Sequence, residues 1–306
     1  MTVHKWLFAS SFRYHGFTFT DNPIPLIKEA LSEIKLICKN QPELAAHGAV
    51  LFLEKISPAI ELVNSSTPAL RKAVNGAIQT LTPIIIKAKV EQRVRDRWLE
   101  RLWEALQVDQ MPYIEALGEY WGELCVSKES AATWAEHFLP LVENMWLDQA
   151  YPHGHFCGTF ACMSSLYAAG QHQELLLLID NAPYDYWRYR RWGVKSLVAI
   201  GKKAAAIRYA KQTADKDKHS VATEIALSCE EIILSSGLYA EAYSRYAFIA
   251  NRKTTPLATF RAIVKKYPQI APAKILTDLI ADQPACSGTL FTTVKDADLV
   301  DCNFSG

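Results

Sequence analysis

From Pro25 onward, apolar residues recur along this chain at helical spacing nearly everywhere. Leu26, Ala30, Ile34 and Ile37 line one stripe, and Val94, Trp98, Leu102 and Leu106 follow at four-residue steps. Such stripes predict amphipathic helices that bury one face. Residues 48–63 and 68–86 predict a helical hairpin broken at Asn64–Pro68, where Ser66 or Thr67 can cap and Pro68 can take the first helical position. Two more helical stretches cover 111–125 and 127–146, with Ser127 to Ser130 as the cap of the latter. Pro58, Pro83 and Pro140 fall inside apolar stretches and predict kinks or breaks. Residues 1–22 read differently. They hold Trp6, Phe8, Phe12, Tyr14, Phe17 and Phe19, and the string FTFT alternates with period two. That predicts a short strand pair or an aromatic strap lying on the first helices.

The second half carries an internal similarity anchored on Gly170, Gly201 and Gly237. Leu166, Leu197 and Ile233 stand four residues before the anchors, and the small Cys162, Gly193 and Cys229 stand eight before. Leu175, Ala206 and Ala242 stand five after. Each unit reads as helix, glycine turn, helix, with the glycine free to take the left-handed conformation that ends the first helix. Residues 258–284 read as a fourth, degenerate pair without the glycine. A period of 31 to 36 residues with this grammar predicts a stacked helical repeat. It resembles the tetratricopeptide repeat (TPR), but Met163, Val194 and Glu230 stand where that family places a small helix residue. The strings RDRWLERLWEA, PYIEALGEYWGELC, YRRWGVKSL, CEEIILSSG and ATFRAIVKKYP are also similar to those of an uncharacterised family of bacterial helical proteins. That resemblance implies no catalytic residues. Together these readings predict an all-α protein of the α-α superhelix class. Residues 1–22 would be an aromatic extension, 23–150 an irregular HEAT-like region, and 151–285 TPR-like helix pairs. The tail 286–306 would form at most one short helix, leaving the array uncapped, truncated or closed by a partner.

Composition narrows the function classes. Half of the 306 residues are hydrophobic and 21% are charged, which suits a buried core. No apolar run reaches the roughly 18 residues of a membrane helix, and the opening WLFASSF is too short for a signal-peptide core. Seven cysteines, none in a CxxC pair, fit a reducing compartment, so the expected location is the cytoplasm. There is no nucleotide-binding GxGxxG or phosphate loop, no GxSxG and no HExxH, so no enzymatic activity and no cofactor are expected. His153, His155, Cys157 and Cys162 are the most metal-like group. Their spacing is not that of a known finger, and Cys162 already fills the repeat's small core position, so no metal is expected.

Charge patterning supplies the candidate site. A net charge of +1 hides two zones of opposite sign. Residues 91–148 hold twelve acids against five bases. Between Trp187 and Lys211 stand eight bases and no acid: Arg188, Arg190, Arg191, Lys195, Lys202, Lys203, Arg208 and Lys211. Tyr186, Trp187, Tyr189 and Trp192 are interleaved with them. Arginine beside aromatic rings can stack on bases or grip carboxylates and phosphates. The expected partner-binding residues are Arg188, Arg190, Arg191, Lys195, Lys202 and Tyr189. Glu115, Glu119 and Glu123, at four-residue spacing, give a secondary acidic face on one helix stripe. The expected function is a scaffold that holds a protein or peptide on the concave surface of its repeats and on this basic zone. The alternative is a nucleic-acid-binding module using the same zone. Contact between the two charged zones of two copies is a specific form of the first idea.

Overall fold

The computed structural model describes residues 4–63, 68–147, 156–213 and 219–282. Among them the fold is all-α, with fifteen α-helices, one 3-10 segment and no strand. The chain divides into two compact units, Met1–Pro183 and Tyr184–Gly306. Gly170 lies in the first, Gly201 and Gly237 in the second. No helix among the described residues is long and apolar enough to cross a membrane.

The first unit begins with α1 (Phe8–Ser11), α2 (Ile24–Cys38), α3 (Pro42–Ile60), α4 (Pro68–Lys87) and α5 (Gln92–Gln107). A 3-10 segment (Glu115–Tyr120) then runs into α6 (Trp121–Cys125), followed by α7 (Lys128–Leu147), α8 (Thr159–Ala169) and α9 (His172–Asp180). Helix α3 is central: it packs on α2, α4 and α5, and Ala45, Ala46, Ala49, Phe52, Leu53 and Ile56 on it are all 0% exposed. Helices α3, α4 and α7 each continue through their proline. A proline removes one hydrogen bond, and tertiary packing outweighs that loss here. Ser127 is the α7 cap, its Oγ accepting from the Ser130 N–H at 3.1 Å. Pro68 opens α4 as expected, while the capping candidates Ser66 and Thr67 lie outside the described residues.

The opening segment is a strap, and the strand alternative is overturned. Phe8 and Phe12 pack edge-on against Phe52 of α3, with ring centroids 5.5 and 5.0 Å apart. Trp6 lies over Gly48, where a Cβ would stand 2.2 Å from the indole. The FTFT alternation arises otherwise. Phe17 is buried, Phe19 is exposed, and the Thr18 N–H and hydroxyl both donate to Asp21 at 2.7 and 2.8 Å, which turns the chain. Strap N–H groups of His15 and Phe17 donate to the carbonyls of Pro58 and Ala59 at 3.0 and 3.2 Å. Those carbonyls end α3 and have no partner within it. The strap is therefore both a ring-packed cover and a C-terminal cap.

Side chains close other helix ends in this unit. Buried Arg95 on α5 donates to the carbonyls of Ile85 and Ala88, at and just beyond the end of α4, and of Leu124 in α6, at 3.2, 2.8 and 3.3 Å. A cation there also meets the negative ends of two helix dipoles. Burial lowers the Arg95 pKa from its ordinary value. After α5, Asp109 accepts from the N–H groups of Tyr113 and Ile114 and from the Ser57 hydroxyl, which starts the 3-10 segment. Gly122 sits against α8, where a Cβ would come within 2.2 Å of the Ser164 carbonyl oxygen.

The second unit comprises α10 (Trp187–Ala199), α11 (Lys203–Lys211), α12 (His219–Leu234), α13 (Tyr239–Ala250), α14 (Pro256–Lys266) and α15 (Pro272–Asp282). Each packs on the next in chain order, and α10 also packs on α12. Gly170, Gly201 and Gly237 have φ of 81°, 78° and 75° and end their helices alike. In each, the glycine N–H bonds the carbonyl three residues back and the following N–H bonds the carbonyl five back, at 2.8–3.3 Å. This double closure is the Schellman motif. The spacing that marked these turns in the sequence is thus a hydrogen-bond pattern. Cys162 and Cys229 are fully buried, and Gly193 is buried against the Tyr209 ring.

Glu230, a departure from the TPR pattern, has a physical account. It is 0% exposed and accepts from Asn251 Nδ2 at 2.8 Å and the Tyr267 hydroxyl at 2.6 Å, while Lys266 pairs with its second oxygen. One carboxylate on α12 thereby ties together the ends of α13 and α14. A buried charge is tolerable when paired and hydrogen-bonded in this way.

Candidate binding face

The face is built on α10 and α11. The sequence makes these helices a hairpin, and helical spacing then sorts the aromatic and basic residues by side. Trp187 and Trp192 turn inward, 3% and 4% exposed. Arg188 and Lys195 are exposed and Arg191 is half-exposed, at successive three- and four-residue steps along α10. Lys202, Arg208 and Lys211 are exposed on the turn and on α11. The Lys195 ammonium lies 4.2 Å from the Trp192 ring centroid, and the Lys211 ammonium lies 5.4 Å from that of Tyr246.

Two of the bases serve the fold. Arg190 pairs with Asp185 and lies 4.2 Å over the Tyr209 ring, which joins α10 to α11. Burial works against its charge, yet Asp185 and Tyr209 hold its pKa above the ordinary value. Lys203 donates to the Ser235 carbonyl at 3.0 Å and to the Ser236 hydroxyl at 3.2 Å, bracing the end of α12. Arg188, Lys195, Lys202, Arg208 and Lys211 are exposed, and Arg191 is half-exposed.

The sequence placed Tyr186 and Tyr189 beside the bases, and the structure adds Tyr184 to them. Tyr184 and Tyr186 stack at 4.9 Å with planes 15° apart, and Tyr189 follows at 5.9 Å from Tyr186. Tyr186 is 48% exposed at the start of α10. The available signal for Tyr184 was its place two residues before Tyr186. Tyr184 precedes the helix and so falls outside any helical periodicity.

The acidic triplet needs correction. Glu115 and Glu119 stand in the 3-10 segment and Glu123 in the separate helix α6. At three residues per turn, positions four apart do not share a face, so the three carboxylates form no single helix stripe. Asp109 and buried Gly118 and Gly122 shape this irregular stretch. Of the metal-like group, His153 and His155 lie outside the described residues. Cys157 is half-buried and Cys162 fully buried, and burial pushes both thiols up. Among the described residues no three His, Cys, Asp or Glu side chains gather as metal ligands.

Compared with protein-family models, with curated proteins and with solved structures, the chain has no match.

Proposed function

We propose that this chain is a non-catalytic, TPR-like helical-repeat adaptor of the cytoplasm that binds an acidic protein or peptide. The binding face combines Arg188, Arg191, Lys195 and Lys202 with Tyr186 and Tyr189. The observation that carries this reading is the stacked tyrosine surface adjoining exposed cations. Carboxylates would pair with the guanidinium groups, and peptide planes would lie against the rings. The three Schellman hairpins support the repeat assignment, and the free thiols of Cys38, Cys125, Cys157, Cys162 and Cys229 support a reducing compartment.

The same stacked rings favour a second reading, single-stranded nucleic acid, because bases stack on tyrosine. Fluorescence anisotropy with a poly-glutamate peptide and with a single-stranded oligonucleotide tests both. The first reading expects the peptide to bind and the change Arg188→Glu with Arg191→Glu to abolish binding while leaving the helical spectrum intact. Tighter binding of the oligonucleotide, weakening steeply with salt as counterions return, would transfer the assignment to nucleic acid. Equal binding by parent and variant would remove the face from consideration.

A further inference from the structure

The strap builds a cleft as well as a cover. With α3 and α5 it forms an open cleft of about 360 Å³, within the roughly 300–1,000 Å³ of small-molecule sites. Leu51, Glu54, Lys55 and Pro58 line it from α3 at helical spacing, and Arg101 lines it from α5. The strap supplies Phe12 and Tyr14. Tyr14 is 72% exposed, yet the chain is fixed on both sides of it. Before it, Phe12 packs on Phe52. After it, the His15 ring stacks 3.9 Å from that of Tyr14, the His15 N–H donates to the Pro58 carbonyl at 3.0 Å, and its Nε2 lies 3.1 Å from a Glu61 carboxylate oxygen. His15 holds a φ of 48°, left-handed backbone that a residue with a side chain keeps only where its surroundings hold it.

Charge in the cleft is unevenly matched. Glu54, the one acid among the lining residues, is already paired with Arg101. Lys55 is half-buried and has no hydrogen bond or ion pair among the described residues. Every other half-buried Asp, Glu, Lys or Arg among them has a bonded, ionic or ring partner. Partial burial of an unpaired ammonium costs free energy that a carboxylate beside it would return. Arg101 adds to the cationic side, because its guanidinium has donors beyond the Nη2 that meets Glu54. Leu51, Pro58 and the Tyr14 ring leave an apolar wall for the rest of a ligand.

We propose that this cleft binds a small carboxylate with a flat, apolar body: the carboxylate pairs with Lys55, and the body lies against Tyr14, Leu51 and Pro58. The site belongs to the first unit and stands independently of the face on α10 and α11. Isothermal titration calorimetry of the full chain with benzoate, 2-naphthoate and indole-3-carboxylate, each beside its primary amide, tests this. At least one acid is expected to bind one to one and about tenfold tighter than its amide, the scale of one charge-assisted hydrogen bond near a surface. Lys55→Gln is expected to bring the acid down to the affinity of the amide and to leave the amide unchanged. Lys55→Arg keeps the charge and is expected to keep the preference for the acid. Tyr14→Ala is expected to weaken acid and amide alike, since it removes wall and no charge. Circular dichroism confirms that the variants are folded. No saturable binding by any of the acids, equal binding of acid and amide, a Lys55→Gln chain that binds the acid like the parent, or a Tyr14→Ala chain that binds both like the parent would each overturn the proposal.

Discussion

The helices of residues 24–147 and the glycine hairpins after them solve the same problem by different means. Every helix leaves carbonyls at its C-terminal end without partners. In the hairpins the chain answers locally, with a left-handed glycine and two backbone bonds repeated at 170, 201 and 237. At the ends of α3, α4 and α6 the answer comes from elsewhere in the chain. Strap N–H groups reach Pro58 and Ala59, and Arg95 reaches Ile85, Ala88 and Leu124. Local closure yields a repeating unit, because each hairpin contains all it needs to turn. Remote closure yields irregular helices that depend on particular side chains. The second unit also has its non-local device, but there Glu230 joins one pair to the next without closing a turn.

Stability measurements test that contrast. The largest effect is expected at Glu230→Ala, which strands Lys266, Tyr267 and Asn251 and should cost about 3–5 kcal/mol in denaturant unfolding. A loss below about 1 kcal/mol would mean that the pairs stack without this tie. Next, Arg95→Met should cost about 3 kcal/mol, because it removes three buried hydrogen bonds to helix-end carbonyls. If unfolding shows no more than a surface-type change, remote capping does not hold the first unit. Gly201→Ala and Gly237→Ala should each cost about 1–2 kcal/mol, the penalty for a Cβ in the left-handed region. Equal losses at the two sites would support equivalent turns, and a cost at one alone would refute it.

Alkaline titration probes the second unit from another side. Burial, with bonds to Glu230 and Asp278, raises the pKa of Tyr267 and Tyr243 above the ordinary 10.0. Raised folded values mean that this stabilisation is fully present below pH 10 and is lost as pH climbs from there toward the folded values. Tyrosinate absorbance should show two phenols ionising only as the helical signal falls, and independent ionisation before unfolding would contradict their burial. The smallest effect is on stability at the binding face. Arg188→Gln with Arg191→Gln should move the unfolding free energy by no more than about 1 kcal/mol, since Arg188 is exposed and Arg191 half-exposed.

Trp192 and Tyr246 show how far the sequence could be read. Both fall inward from helical spacing alone, and both are buried, at 4% and 7% exposure. The Ser127 cap and the three glycine turns were legible for the same reason, as each is a local pattern in a few consecutive residues. The FTFT alternation misled, because a period of two over four residues also fits one buried ring beside a Thr18–Asp21 turn. Glu115, Glu119 and Glu123 misled because four-residue spacing marks one face only if the helix is α throughout. In the basic run, sign was legible but employment was not. Only the folded positions of Asp185 and Tyr209 show that Arg190 joins α10 to α11.

The chain's own pattern therefore determined the helical class, the hairpin turns and the two zones of opposite charge, since periodicity, glycine placement and charge runs act between near neighbours. Tertiary structure alone decided that Arg95 is a buried cap, that Glu230 is a buried tie, and that Tyr14, Lys55 and Arg101 share a cleft. Those groupings join residues from about seven to ninety positions apart. Their cause is the low dielectric of a packed interior, where a charge must find whichever partner the folded chain brings within bonding distance.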